Sequence, residues 1–174
     1  MKRPRRSAGW VALACLAVLA VGMLAGGALG MRINLTPSLP IGFYVRDPEG
    51  ELVEFCPEGV ASEESAIRGY RERGVCPDGH APLLKPIVAR AGDTVEVLDG
   101  VIAVNGQPLP NSQTHARDHR GRALTAFPVG RYAVSERTIW VVSTWNDGSY
   151  DSRYFGPIPE SIIRQRLRPL WVSQ

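Results

Sequence analysis

From Trp10 to Gly30 the chain carries no charged side chain and is almost wholly Ala, Val, Leu, Gly and Met. No other stretch limits its architecture as strongly. As a helix rising about 1.5 Å per residue, such a run matches the ~30 Å hydrocarbon core of a bilayer. Lys2, Arg3, Arg5 and Arg6 precede it. Positive charge on that side predicts a basic cytoplasmic tail over residues 1–9, an anchor over 10–30, and a body, 31–174, across the membrane. The competing reading is a cleaved leader that releases a soluble body. Ala28-Leu29-Gly30 is a serviceable small-x-small cleavage site, although the run exceeds the usual apolar core of roughly 7–15 residues. A buried core helix fits poorly, because the segment has no amphipathic pattern.

The 174 residues leave room for one modest domain beyond the anchor. Net charge is only +3, with much of the basic excess in the first six residues, where it suits anionic lipid. Aromatic residues interleaved with base-reading arginines are absent, which argues against a nucleic-acid partner. With 14 prolines and 18 glycines, the body reads as loop-rich and mainly β. Pro37 and Pro40 bracket Ser38, so Asn34 to Tyr44 is a stiff extended segment or turn beside the membrane. Strands are expected at 42–45, 84–89, 94–98, 101–104, 132–134, 138–142 and 170–172. Asp99-Gly100 is a type I′ hairpin signal, and Asn105-Gly106 supplies the next turn. Residues 47–82 read as an irregular insertion with one short helix over 62–73, capped by Ser62. Residues 159–168 read as a helical turn.

Cys15 lies in the apolar run and behaves as a small hydrophobe. Cys56 and Cys76 lie in the exported body, where a disulfide would close the insertion. Two free thiols or a metal site are the alternatives, and histidine spacing nearby does not favour metal.

Lys85 is the unusual side chain, because Leu83, Leu84, Ile87 and Val88 surround it. Burial disfavours an ammonium, and a neutral amine can take a proton from a serine hydroxyl. Strand alternation leaves the opposite reading open, with Lys85 pointing into solvent. Ser38 alone is what any Pro-rich turn contains. A rival Ser-His-Asp triad would use His115 or His119 with Asp118 or Asp151. Those histidines sit in a polar stretch from Asn111 to Arg122, and His80 sits in a turn. Asp151 and Arg153, two apart, can pair or brace backbone.

Four blocks, in order, resemble the serine–lysine signal peptidase I family: Thr36-Pro37-Ser38, Leu84 to Val95, Val104-Asn105-Gly106 and Ser149 to Gly156. They span most of the body. The resemblance implies a signal-peptidase-like β body and an endopeptidase that needs no cofactor. Ser38 would be nucleophile, Lys85 general base turned inward, and Thr36 an oxyanion-hole donor. Ser149 would orient Lys85, and Asp151 and Arg153 would support the floor. Where the family block opens Gly-Asp-Asn-Arg, this chain has Ser143, Thr144, Trp145 and Asn146. That departure, with the Asn34-x-Thr36-x-Ser38-x-Pro40-x-Gly42-x-Tyr44 pattern and the two-cysteine excursion, resembles the TraF-type branch. The branch implies maturation of a conjugative pilin, by cleavage or by cyclisation, at the periplasmic face of a bacterial inner membrane. Inner-membrane lipid, a precursor protein and the conjugative transfer machinery are the partners this implies. A general type I signal peptidase and a non-catalytic, membrane-tethered assembly factor are the alternatives.

Overall fold

The computed structural model describes residues 9–17 and 30–173. Residues 9–17 are helical (α1). Most of the expected anchor, 10–30, and nearly all of the basic tail lie outside the described residues. No helix among the described residues is long and apolar enough to cross a membrane.

The body is mainly β. In chain order it contains β1 (Arg32–Asn34), β2 (Gly42–Arg46), β3 (Leu52–Phe55), α2 (Gly59–Ile67) and β4 (Leu83–Ala89). Next come β5 (Thr94–Val97), β6 (Ile102–Val104), β7 (Gln107–Pro108), β8 (Gly130–Ala133) and β9 (Thr138–Val141). The chain ends with α3 (Ser152–Phe155), β10 (Ile158–Pro159), a 3-10 turn at Glu160–Ile162, and β11 (Ile163–Val172). Seven strands form a sheet in the order β1-β2-β11-β3-β4-β9-β10, and four form a second in the order β7-β6-β5-β8. Their pairings are antiparallel.

β4 is central, and apolar residues cover it on both faces. Successive side chains alternate across a strand, so Leu83, Lys85 and Ile87 share one face. Leu83 and Ile87 there join Val53, Phe55, Ile139, Val141 and Ile158. Leu84 points the other way, into a cluster with Leu39, Tyr44 and Leu167. A third cluster, including Val95, Val97, Ile102 and Trp140, ties the second sheet to the first. Truncating Phe55 or Trp140, both almost completely buried, would cost about 3–5 kcal/mol.

Several expectations need correction. The 47–82 segment is not irregular throughout, since β3 lies inside it and pairs with β4 and β11. Only four residues long, β3 is defined by its partners. The helix spans Gly59–Ile67 and Ser62 does not cap it. Ser62 Oγ instead donates to Asp78 at 2.6 Å, and Gly69, at φ +67°, turns the chain away just beyond the helix. Residues 163–168 belong to β11 rather than to a helical turn, because β2 and β3 pair with them on both sides. The Asp99-Gly100 turn is not type I′, since of its two central residues only Gly100 has positive φ. That geometry appears one turn later, where Asn105 and Gly106 take φ of 51° and 78° between β6 and β7. Cys56 and Cys76 are bridged.

Candidate active site

The loop between β1 and β2 carries Ser38, and side chains hold it from several directions. Asn34 is buried, and its Nδ2 donates to the carbonyls of Thr36, Leu39 and Pro40 at 2.9, 3.0 and 3.2 Å. The Tyr44 hydroxyl donates to Pro40 O at 2.6 Å. Ser143 Oγ donates to Ser38 O at 2.5 Å, and Asn146 Nδ2 to Pro37 O at 3.3 Å. Every carbonyl from Thr36 to Pro40 therefore accepts a side-chain hydrogen bond. Pro37 and Pro40 have no N–H to offer a neighbouring strand, so the loop cannot extend the sheet. Beyond it, a Cβ on Gly42 would lie 2.2 Å from Trp171 O, so only glycine lets β11 approach there.

Thr36, Ser38, Lys85 and Ser149 line one cleft of about 250 Å³. A second cleft of about 280 Å³ shares Thr36, Ser38 and Lys85 with it, so Ser38 and Lys85 stand where the two meet. Lys85 is 3% exposed and lies opposite Val53 of β3. Leu83 and Ile87 on its own face are buried, as is Leu84 on the other, while Pro86 and Val88 are half-buried, so its stem runs through the core rather than into solvent. Burial lowers the amine to about 8; the Asp151 charge opposes this and the Arg153 charge adds to it. Ser149 Oγ is buried without a hydrogen-bond partner among the described residues. Thr36 Oγ1 donates to Asn34 Oδ1 at 2.8 Å, so its proton must swing away before it can serve another acceptor.

Asp151 and Arg153 lie beneath the cleft, both fully buried. The guanidinium is bidentate on the carboxylate, at 2.8 and 2.9 Å. It also donates to the carbonyls of Asn111, Gln113, Asn146, Asp147 and Ser149. Asp151 accepts in turn from Ser143 N at 2.9 Å and from Arg153 N at the start of α3. A buried pair is tolerable only when its remaining hydrogen-bonding capacity is used, and here it is.

The disulfide-closed excursion supplies one wall. Arg71, buried, ties Ser62, Ser65 and Asp78 together inside it. Tyr70 then projects into both clefts and donates to Asp118 at 2.6 Å. Its ring lies 5.3 Å from that of Tyr150, which stacks on Tyr154. Burial, its largest influence, raises the Tyr150 hydroxyl to about 12. His119 and Asp118 also line the cleft, but the Asp118 carboxylate accepts from Tyr70 and Arg122. Asp151 is committed to Arg153, and His115 pairs with Asp147 on the surface. Neither carboxylate of the rival triad thus engages an imidazole. Tyr70 is a site residue that the sequence reading did not name, and Asn34, Tyr44, Ser143 and Asn146 entered it only as parts of a pattern, with no role at the site. Asn34, two before Thr36, carries the one local signal, that of an Asx turn.

The model of the signal peptidase family, peptidase S26, matches residues 6–171. The chain belongs to this family. It is 42% identical over 160 residues to the probable conjugal transfer protein TraF of Sinorhizobium fredii, covering 87% of this chain and 82% of that one. It is 35% identical over 177 residues to the plasmid transfer protein TraF of Escherichia coli, covering 98% of both. Among solved structures it is similar to a signal peptidase I from Enterococcus faecalis, at TM-score 0.38 and 17% identity, covering 71% of this chain and 98% of that one. Membership brings with it the general expectation of peptidase chemistry.

Proposed function

We propose that the chain is a membrane-anchored serine endopeptidase that processes exported precursors with Ser38 and Lys85. The observation that carries this is that both line the same cleft while burial holds Lys85 toward its neutral form. The Lys85 amine takes the Ser38 hydroxyl proton as Oγ bonds to the scissile carbonyl carbon. The resulting oxyanion is met by the Ser38 N–H and by Thr36 Oγ1 once it turns from Asn34. Collapse breaks the C–N bond, and the Lys85 ammonium returns its proton to the departing amine. Water, or the substrate's own amino group, then attacks the ester and regenerates Ser38. The first outcome is hydrolysis and the second a cyclic product, lighter than the linear one by one water. Ser149 Oγ, unpartnered among the described residues, would turn to the amine and orient it, and the Asp151–Arg153 pair holds the floor.

Relatives named for conjugal and plasmid transfer favour a conjugative pilin as the precursor over a general secretory role. The body would work at the periplasmic face of the inner membrane. Ile33 pairs with Phe43, and Phe43 with Trp171, along one row of the sheet. Ile33 and Trp171 are exposed, as are Leu35 and Ile41 beside the Ser38 loop. An aromatic and aliphatic patch there suits a lipid interface.

Ser38→Ala and Lys85→Ala should each abolish precursor maturation in cells while the protein remains folded. Maturation that persists in both variants would refute the peptidase assignment in favour of a tethered assembly factor.

A further inference from the structure

Ser143 and Asn146 occupy the stretch where the sequence departs from its family's usual block, and they hold the two carbonyls that flank the Ser38 Cα. Ser143 Oγ donates to Ser38 O at 2.5 Å. It accepts from Asn146 N at 3.1 Å, so its single proton is directed at Ser38. Asn146 Nδ2 reaches Pro37 O, while Asn146 Oδ1 accepts from Gly148 N at 2.8 Å. The carboxamide is thereby oriented. Ser143 N is fixed in turn by the buried Asp151.

No peptide bond among the described residues is cis, and in a planar trans peptide the C=O and N–H point opposite ways. Holding Pro37 O toward Asn146 therefore turns the Ser38 N–H away from the 143–146 segment. Holding Ser38 O toward Ser143 fixes the plane on the other side of the same residue. With both flanking planes held, the Ser38 Cα–Cβ direction is set, and only χ1 remains for Oγ.

We propose that Ser143 and Asn146 are positioning residues that preset the Ser38 hydroxyl and N–H for attack and for the oxyanion. They act through the two flanking carbonyls without touching the reacting atoms. This rests on the assignment of Ser38 as nucleophile. A misaligned oxyanion donor is the costly fault in such chemistry, since losing one outright lowers kcat by about 10²–10³.

The test uses the full chain in detergent with a precursor peptide and measures Ser143→Ala, Ser143→Thr, Asn146→Ser and Ser38→Ala. Asn146→Ser keeps a short acceptor for Gly148 N and loses the reach to Pro37. Ser143→Ala and Asn146→Ser should lower kcat about 10- to 100-fold, with KM within about twofold. The pH midpoint of kcat should stay in place, because Lys85 is untouched. Ser143→Thr, which retains the hydroxyl, should recover most of the loss. A kcat within about threefold of wild type in both variants would overturn the proposal. So would a loss confined to KM, or one that Ser143→Thr fails to restore. An active Ser38→Ala is a separate result, which removes the nucleophile assignment and this inference with it.

Discussion

As the proposed base, Lys85 would both cost stability and supply chemistry. Below pH 8 it is charged in folded and unfolded chains alike, and the fold bears the full cost of burying the ammonium. As pH rises from about 8 toward the ordinary 10.5, the folded chain releases a proton that the unfolded chain keeps. Stability therefore rises with pH across that window. Lys85→Met should stabilise the protein at pH 7 by at most about 3 kcal/mol, and the gain should fade toward pH 10. Denaturant melts at both pH values check this, and a variant less stable than wild type at pH 7 would contradict it. The wild-type rate should rise about tenfold per pH unit below about 8 and level off above. The strand pattern placed Lys85 in an apolar strand but left its direction open, because alternation alone allows either face, and only the family resemblance turned it inward. The answer depends on what packs over each face, and Lys85 shares its face with Leu83 and Ile87, which belong to a buried core cluster. Ser143 and Asn146 were less legible still, since they meet Ser38 and Pro37 across 105 and 109 residues.

At the level of elements, the segment between β3 and β4 is held twice, once by the Cys56–Cys76 bridge and once by buried Arg71. The bridge closes a loop of sequence separation 20, for which chain entropy contributes about 3 kcal/mol. Cys56→Ser with Cys76→Ser should therefore lower Tm by at most roughly 6–12 °C. Because Tyr70 leaves this loop to meet Asp118 across the cleft, the same variant should also weaken peptide binding. That effect would be read as a raised KM with little change in kcat. A KM unchanged in a folded double variant would mean that the Arg71 network holds Tyr70 unaided. The bridge was foreseeable from two cysteines in a body expected to be exported. The end of β11 was foreseen as a strand at 170–172, but β3 and the 163–169 part of β11 were not, because a four-residue strand and an Arg-rich stretch lack the pattern that marks strands on their own. Their partners define them: β11 lies between β2 and β3 and gives up its alternation at two bulges.

Across the whole molecule, the Ser38 loop and the exposed apolar row lie at the same edge. Leu35 and Ile41 flank the loop itself, and β1 and β2 carry Ile33 and Phe43 away from it toward Trp171. Trp171 and Phe43 have ring centroids 6.2 Å apart, so they would enter a lipid interface together. An enzyme held this way would meet only precursors whose cleavage site lies at the bilayer surface, and the loop need not travel to reach them. Each of these side chains, taken partly from water into lipid, would contribute about 1 kcal/mol. The full chain with Ile33→Ser, Phe43→Ser and Trp171→Ser should then cleave a short soluble peptide at close to the wild-type rate. On a precursor embedded in anionic vesicles it should be slower by about tenfold or more. Equal losses on both substrates would mean that the row supports the loop rather than the membrane contact. Unchanged rates on both would mean that the row makes no contact with lipid.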